Sequence, residues 1–391
     1  MKKIFTLCAL MASMLSTNLY ATYYVVGNGT DDPNGNWVHG ENWNVSAAVN
    51  ALDANGTITF TNVAGGKNYG FKITDGAWNT NEDKTHEITT IDYDNCAAPM
   101  YGGNGNDVGF TLSEDADVTV SLVEGKIRLT ATKPLAYRSN YYYIAGNYSN
   151  WGSWGTPKGA VLTNDQISAT LPVGKYEFKI TNGNWGSNNE WGYSKINIST
   201  SSPMFKDDSG NIVFRLLKEA DVVIKIVKNK VVLLIDREFI VTGNGNNGLW
   251  LNDKSWAPKD DDATLNANYS RTFTNLQIGT YEFKVKENVD GYGDAAWHAD
   301  CTWGFDHLDG ESSNAGENND GNIAFTLDKA SNVTIALVNN KIVLTVVATD
   351  PTAIDNVTLK NNGKYYDILG REVANPQKGN LYIHNGKKVL F

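Results

Sequence analysis

One sentence of residues is written three times in this 391-residue chain, and it limits the possible fold more than any other feature: an alternating strand, a glycine turn, then a tryptophan. The clearest copy is GKYEFKITNGNW, residues 174–185. Tyr176, Phe178 and Ile180 alternate with Glu177 and Lys179, the two-residue period of a strand with one buried face. Asn182-Gly183 tolerates the positive φ of a tight turn, and Trp185 follows in a polar loop. Residues 65–78 read GGKNYGFKITDGAW, and residues 279–285 read GTYEFKV, with Trp297 arriving after a longer loop.

The flanking sequence repeats with it. Each unit opens on an apolar strand ending in Gly-Asn, at 23–28, 141–147 and 239–244. Each continues into a loop with two tryptophans: Trp37 and Trp43, Trp151 and Trp154, Trp250 and Trp256. Each closes with a pair of strands, at 108–130, 211–235 and 322–346. There Val118/Val120/Leu122, Val222/Ile224/Ile226 and Val333/Ile335/Leu337 alternate with polar positions, and Gly125, Asn229 and Asn340 fall at the hairpin turns. The strand phenylalanines Phe71, Phe178 and Phe283 stand 107 and 105 residues apart, which suits one small sandwich per repeat and not a solenoid. About 100 residues bury roughly 60–70% of their unfolded surface, enough for an independent core. The expected fold is all-β: three tandem immunoglobulin-like β-sandwiches over 22–134, 138–236 and 237–348, then a small C-terminal β domain over 355–391. Linkers near Lys133-Pro134, Asp236-Arg237 and Thr349-Asp350-Pro351 are short and leave limited freedom between neighbours.

Residues 1–21 read as a secretory signal, with Lys2 and Lys3 ahead of an apolar run from Ile4 to Leu15. That run is too short for a membrane span, and no later segment approaches one. A secreted or cell-surface location follows. Cys96 and Cys301 fall in different repeats and are expected as separate, at least partly buried thiols. The formal charge is −10, or −12 without Lys2 and Lys3, which argues against nucleic acid and anionic membranes as partners and favours a neutral ligand.

Enzyme templates fail: there is no nucleophile elbow, phosphate-cradling loop or HExxH motif. The five histidines, at 39, 86, 298, 307 and 384, do not recur at matching positions. Carboxylates are plentiful, but none stands in an apolar setting that would raise its pKa. The acidic stretches 260–262 and 306–322 lack EF-hand spacing, and neither a metal nor a cofactor is expected. Tandem near-copies add binding sites and avidity more readily than catalysis.

The tryptophans carry the positive signal. The C–H face of a pyranose meets the negative face of an indole, and amide or charged side chains nearby hold the hydroxyls. Lys72, Lys179 and Lys284 lie opposite the core residues of their strands, close to the loops that carry Trp78, Trp185 and Trp297. Trp191 and Trp303 follow six residues behind Trp185 and Trp297, whereas the first repeat has Lys84 there. On this pattern the second repeat should bind best and the first least.

The repeats resemble the starch- and glycogen-binding β-sandwich modules found in the AMP-activated kinase β subunit, bacterial pullulanases and starch-binding outer-membrane proteins of Bacteroidetes. The resemblance rests on GNYSNWGSW (146–154), LPVGKYEFKITNGNW (171–185) and GNIVF (210–214). It implies binding of a poly- or oligosaccharide of α-glucan type, with other outer-membrane glycan-uptake proteins as neighbours. The implied contacts are Trp151, Trp185, Lys179 and Asn211 in the second repeat; Trp250 or Trp256, Trp297, Lys284 and Asn322 in the third; and Trp37 or Trp43, Trp78 and Lys72 in the first, with Asn106-Asp107 at the asparagine position. The tail, through YYDILGREV (365–373), KGNLYI (378–383) and NGKKV (385–389), resembles the C-terminal sorting domain of proteins exported by the type IX secretion route. The competing reading is a structural or adhesive surface protein whose sandwiches form a stalk or bind protein partners. It requires the loop tryptophans to be packed inside.

Overall fold

The computed structural model describes residues 22–78, 84–147, 154, 158–186, 188–245, 250–290, 297–312, 315–318, 320–349, 363–384 and 387–390. The expected signal segment lies outside them. The described chain is all-β apart from short 3-10 turns, and its named strands pair antiparallel. It divides into two compact units, Met1–Arg237 with Gly291–Thr302, and Glu238–Asp290 with Trp303–Phe391.

The first unit holds two sandwiches. In the first, the strands Tyr24–Gly27, Lys67–Thr74, Val108–Leu112 and Met100–Gly102 lie side by side in that order, with Thr85–His86 also on Lys67–Thr74. Facing them is a three-stranded sheet of Thr57–Val63, Ala116–Val123 and Lys126–Ala131. The apolar alternation meets between the sheets: Phe71, Val108 and Phe110 from one side pack with Phe60, Val118, Val120, Ile127 and Leu129 from the other, all without solvent contact. The second sandwich repeats the plan around Gly174–Thr181, faced by Gln166–Leu171, Ala220–Val227 and Lys230–Ile235. Tyr176, Phe178 and Ile180 are buried there, as the alternation predicts.

Aromatic rings, together with an ion pair between Lys228 and Asp94, join these two sandwiches. Tyr101 of the first meets Tyr141 of the second at 4.6 Å, the Arg138 guanidinium lies over both rings at 5.1 and 4.6 Å, and the Tyr141 hydroxyl donates to the Gly102 carbonyl.

The second unit has a sheet of Phe239–Gly245, Gly279–Glu287, Ile323–Leu327 and Ala315–Glu317 against Ser270–Leu276, Ser331–Val338 and Lys341–Ala348. It also contains a four-stranded sheet from the tail, in the order Glu372–Val373, Tyr365–Tyr366, Leu381–His384, Lys387–Leu390.

Local chemistry explains why each unit opens and closes as it does. A Cβ on Gly27, Gly146 or Gly243 would come within 2.5, 2.3 or 2.0 Å of the carbonyl oxygen of Gly70, Glu177 or Glu282, so only glycine fits the end of the opening strand. The closing hairpins turn at Glu124-Gly125, Lys228-Asn229 and Asn339-Asn340, and both residues of each pair have positive φ. That is the twist a two-residue hairpin needs. Neither Cys96, half-buried, nor Cys301, buried, is in a disulfide.

Candidate functional site

The ten described tryptophans separate by role. Trp37 belongs to the interior, and the loop is built to put it there. Buried Asp32 accepts the backbone N–H groups of Asn34, Asn36 and Trp37 at 2.9, 2.9 and 2.8 Å. Val38 and His39 then take positive φ, and the chain folds inward. The Trp37 ring has no solvent contact and meets Phe60, Tyr69, Phe71 and Phe110 at 4.8–5.7 Å. Trp250 does the same in the third repeat, stacked on Phe273 at 4.9 Å and 3% exposed. Sugar contact through Trp37 or Trp250 is therefore corrected to core packing.

Trp191 and Trp303 are corrected in the same way, at 1% and 0% exposed. Each lies on a two-residue strand, Glu190–Trp191 and Thr302–Trp303. Trp191 pairs with Ile180, meets Tyr142 edge-on at 5.0 Å and donates its Nε1–H to Asn229 Oδ1 at 2.9 Å. Trp303 meets Phe239 edge-on at 5.3 Å. The matching position in the first repeat is His86, buried beside Tyr23 and paired with Ile73. The first repeat thus lacks a core tryptophan there, not a binding one, and the reason for ranking it last disappears.

What stays outside is a different set. Trp78 is 55% exposed and Trp185 40%. Trp43, Trp154, Trp256 and Trp297 are half-buried. Trp43 and Trp256 are equivalent: both take positive φ, near 53° and 51°, and both donate their N–H to the opening-strand glycine, Gly27 at 2.8 Å and Gly243 at 3.0 Å. In the first repeat this brings Trp43 against Trp78, with ring centroids 6.1 Å apart and planes 46° apart. Two tilted indoles, one largely open to water, make an apolar shelf. Trp151 lies outside the described residues, so its expected pairing with Trp185 is not described.

The strand lysines lie on the outer sheet face as expected, but each ammonium already has an acceptor. Lys72 pairs with Glu87 at 2.8 Å and Asp107 at 3.7 Å and also donates to the Gly105 carbonyl; its side chain is 15% exposed. Lys179 pairs with Glu190 at 3.5 Å, and Lys284 donates to the Asp320 carbonyl at 2.9 Å. Asn211 is held by Asp207 through its amide at 2.6 Å, and Asn322 by Glu282 at 3.1 Å. Asp107 occupies the asparagine position in the first repeat, one residue before Val108 and its partner Phe71. Burial, helped by the Glu87 charge and opposed by Lys72, pushes its carboxyl up from 3.8 to about 6. An acid in such a setting was not legible in the sequence.

Beside the Trp43–Trp78 shelf, a groove of about 180 Å³ runs over the outer sheet face, lined by Trp43, Asn28, Asp31, Asn68, Gly70, Asp107 and Arg138 among others. Among the described residues, no group of three or more His, Cys, Asp or Glu side chains is placed to hold a metal.

No protein-family profile matches the sequence, and no curated protein does. Among solved structures, SusF from Bacteroides thetaiotaomicron is similar over 84% of this chain and 77% of its own, at 13% identity and a TM-score of 0.23. A superposition that loose transfers no residue roles.

Proposed function

We propose that the chain is a non-catalytic glycan-binding protein of the cell surface, taking α-glucans through aromatic shelves at the loop ends of its sandwiches. The Trp43–Trp78 pair carries this reading: two indoles in contact, one 55% exposed, next to amides and carboxylates. A folded domain gains nothing by leaving such a pair in water, whereas a pyranose face covers it well. Trp185 supplies the corresponding aromatic in the second repeat, and Trp256 that of the third. Each shelf alone is small, so tandem sites act through avidity. The non-catalytic part rests on the one raised carboxyl of the site. Lys72 stands between Asp107 and Glu87, where a water or a glycosidic oxygen would have to sit. The tail sheet fits an export and attachment role.

Affinity electrophoresis in gels containing starch, glycogen or a β-glucan tests the proposal. Retardation in starch and glycogen is expected. Unchanged mobility in all three removes glycan binding, and retardation in the β-glucan gel alone removes the α-glucan assignment.

The stalk reading has one observation in its favour, the burial of Trp37, Trp191, Trp250 and Trp303. It leaves Trp78 and Trp185 unexplained.

A further inference from the structure

Among the cross-strand pairs on the outer face of the first sandwich, one loses both of its side chains relative to the counterparts. Gly70 faces Gly109 across the sheet. The second repeat has Glu177 opposite Val213 there, and the third has Glu282 opposite Ala324. In both later repeats the glutamate is engaged on the sheet face, Glu177 with Lys175 and Glu282 with Asn318 and Asn322. In the first repeat no side chain stands at either position.

The two glycines serve different ends. A Cβ on Gly109 would fall 2.0 Å from the Tyr101 ring, so Gly109 is taken up by seating Tyr101. A Cβ on Gly70 would find nothing nearer than Asp107 Cβ at 3.9 Å. Its backbone is ordinary strand, paired with Gly109, and lies outside the left-handed region. Packing therefore gives no reason for glycine at 70. Leaving the groove floor open does.

The walls are chemically mixed. Trp43 gives an indole on one side. Across from it Arg138, braced on the Tyr101 and Tyr141 rings, has no carboxylate partner among the described residues. Asn68 accepts from Thr111 Oγ1 at 2.7 Å through Oδ1, which leaves its amide hydrogens without a protein acceptor among the described residues. Asp31 and Asp107 supply acceptors. Guanidinium and amide donors, carboxylate acceptors, an aromatic wall and an open floor are the complement of a neutral ring bearing hydroxyls, each of which both donates and accepts. Asp31, Asp107 and Glu87 outnumber Arg138 and Lys72, which disfavours an anionic sugar.

We infer that the groove over Gly70 is a second sugar subsite of the first repeat, continuing the Trp43–Trp78 shelf along the sheet, so that this repeat holds a neutral glycan of several residues with Arg138 and Asn68 on its hydroxyls. The inference rests on the glycan-binding reading above. The second repeat, with Glu177 standing opposite Val213 at this place, holds only the part of the chain that lies on its loop aromatics.

The test is calorimetric titration of the full chain with maltoheptaose, in a background carrying Trp185→Ala and Trp297→Ala to silence the loops of the other repeats. Gly70→Gln fills the floor without added charge and is expected to weaken binding about five- to tenfold. Arg138→Ala should do likewise. Thermal melts of both variants check folding. If Gly70→Gln binds maltoheptaose as tightly as the background while Trp78→Ala does not, the subsite is refuted and the function stands. If the unmutated chain binds neither maltoheptaose nor starch, both fall. Tighter binding of polygalacturonate than of maltoheptaose overturns the neutral-ligand assignment.

Discussion

Replacing Trp78 with alanine separates binding from folding more cleanly than any other change. A tryptophan side chain offers roughly 250 Å², and Trp78 is 55% exposed, so on the order of 130 Å² of it meets water. A pyranose stacked on one face covers about half of this, roughly 65 Å², and at ~25 cal/mol per Å² the contact contributes about 1.5 kcal/mol. Trp78→Ala should therefore weaken maltoheptaose binding by about tenfold in the Trp185→Ala, Trp297→Ala background. Stability should hardly change, because the ring's one described aromatic neighbour, Trp43, is itself half-buried. The paired control is Trp37→Ala, which opens the core between Phe60, Phe71 and Phe110 and should cost about 3–5 kcal/mol of stability. Calorimetric titration and urea unfolding read the two effects. Unchanged affinity in Trp78→Ala, or an affinity loss matched by an equal loss of stability, would refute the division of the tryptophans into shelf and core.

Three further outcomes follow from the same structure. Trp191→Ala should destabilise the second sandwich by about 3–5 kcal/mol, seen as an earlier urea transition, since it removes a buried ring and leaves Asn229 without its donor. Gly109→Ala drives a methyl into the Tyr101 ring and should cost about 1–3 kcal/mol in the same assay, while Gly70→Ala should be nearly silent. Asp107 holds its proton up to about pH 6 in the folded state against 3.8 unfolded, so the folded chain binds more protons across that window and stability falls as pH rises from about 4 to 6.5. Asp107→Asn removes this component. The difference between wild type and Asp107→Asn should shift against the wild type by on the order of 1 kcal/mol over the window, after allowance for partial solvent access. A pH-independent difference contradicts the assigned cause.

The sandwiches were legible because their signals are local. Tyr176, Phe178 and Ile180 point one way by the geometry of a strand, and Lys228-Asn229 or Asn339-Asn340 makes a hairpin by the backbone freedom of its own residues. The tryptophans were misread where their position depends on distant partners. Trp191 looks like a loop residue because its strand is two residues long and exists only by pairing with Gly174–Thr181. Trp37 looks like a loop residue because the inward turn depends on one buried carboxylate, Asp32, collecting three N–H groups. The run DPNGNW at 32–37 carried that signal, since an aspartate ahead of Pro, Asn and Gly is a turn former. Trp43 meeting Trp78, and Arg138 reaching the groove, depend on how separate loops and the link between the sandwiches come together, and no periodicity reports that. The Gly70–Gly109 pair could have been found by aligning the repeats residue by residue.

Residue-resolved oxidation of the tryptophans, with and without soluble starch, tests the central claim most directly. The account predicts that Trp78 and Trp43 are modified in the free protein and protected by starch, while Trp37, Trp191, Trp250 and Trp303 resist modification in both states. Starch binding that leaves Trp43 and Trp78 as reactive as before would contradict it.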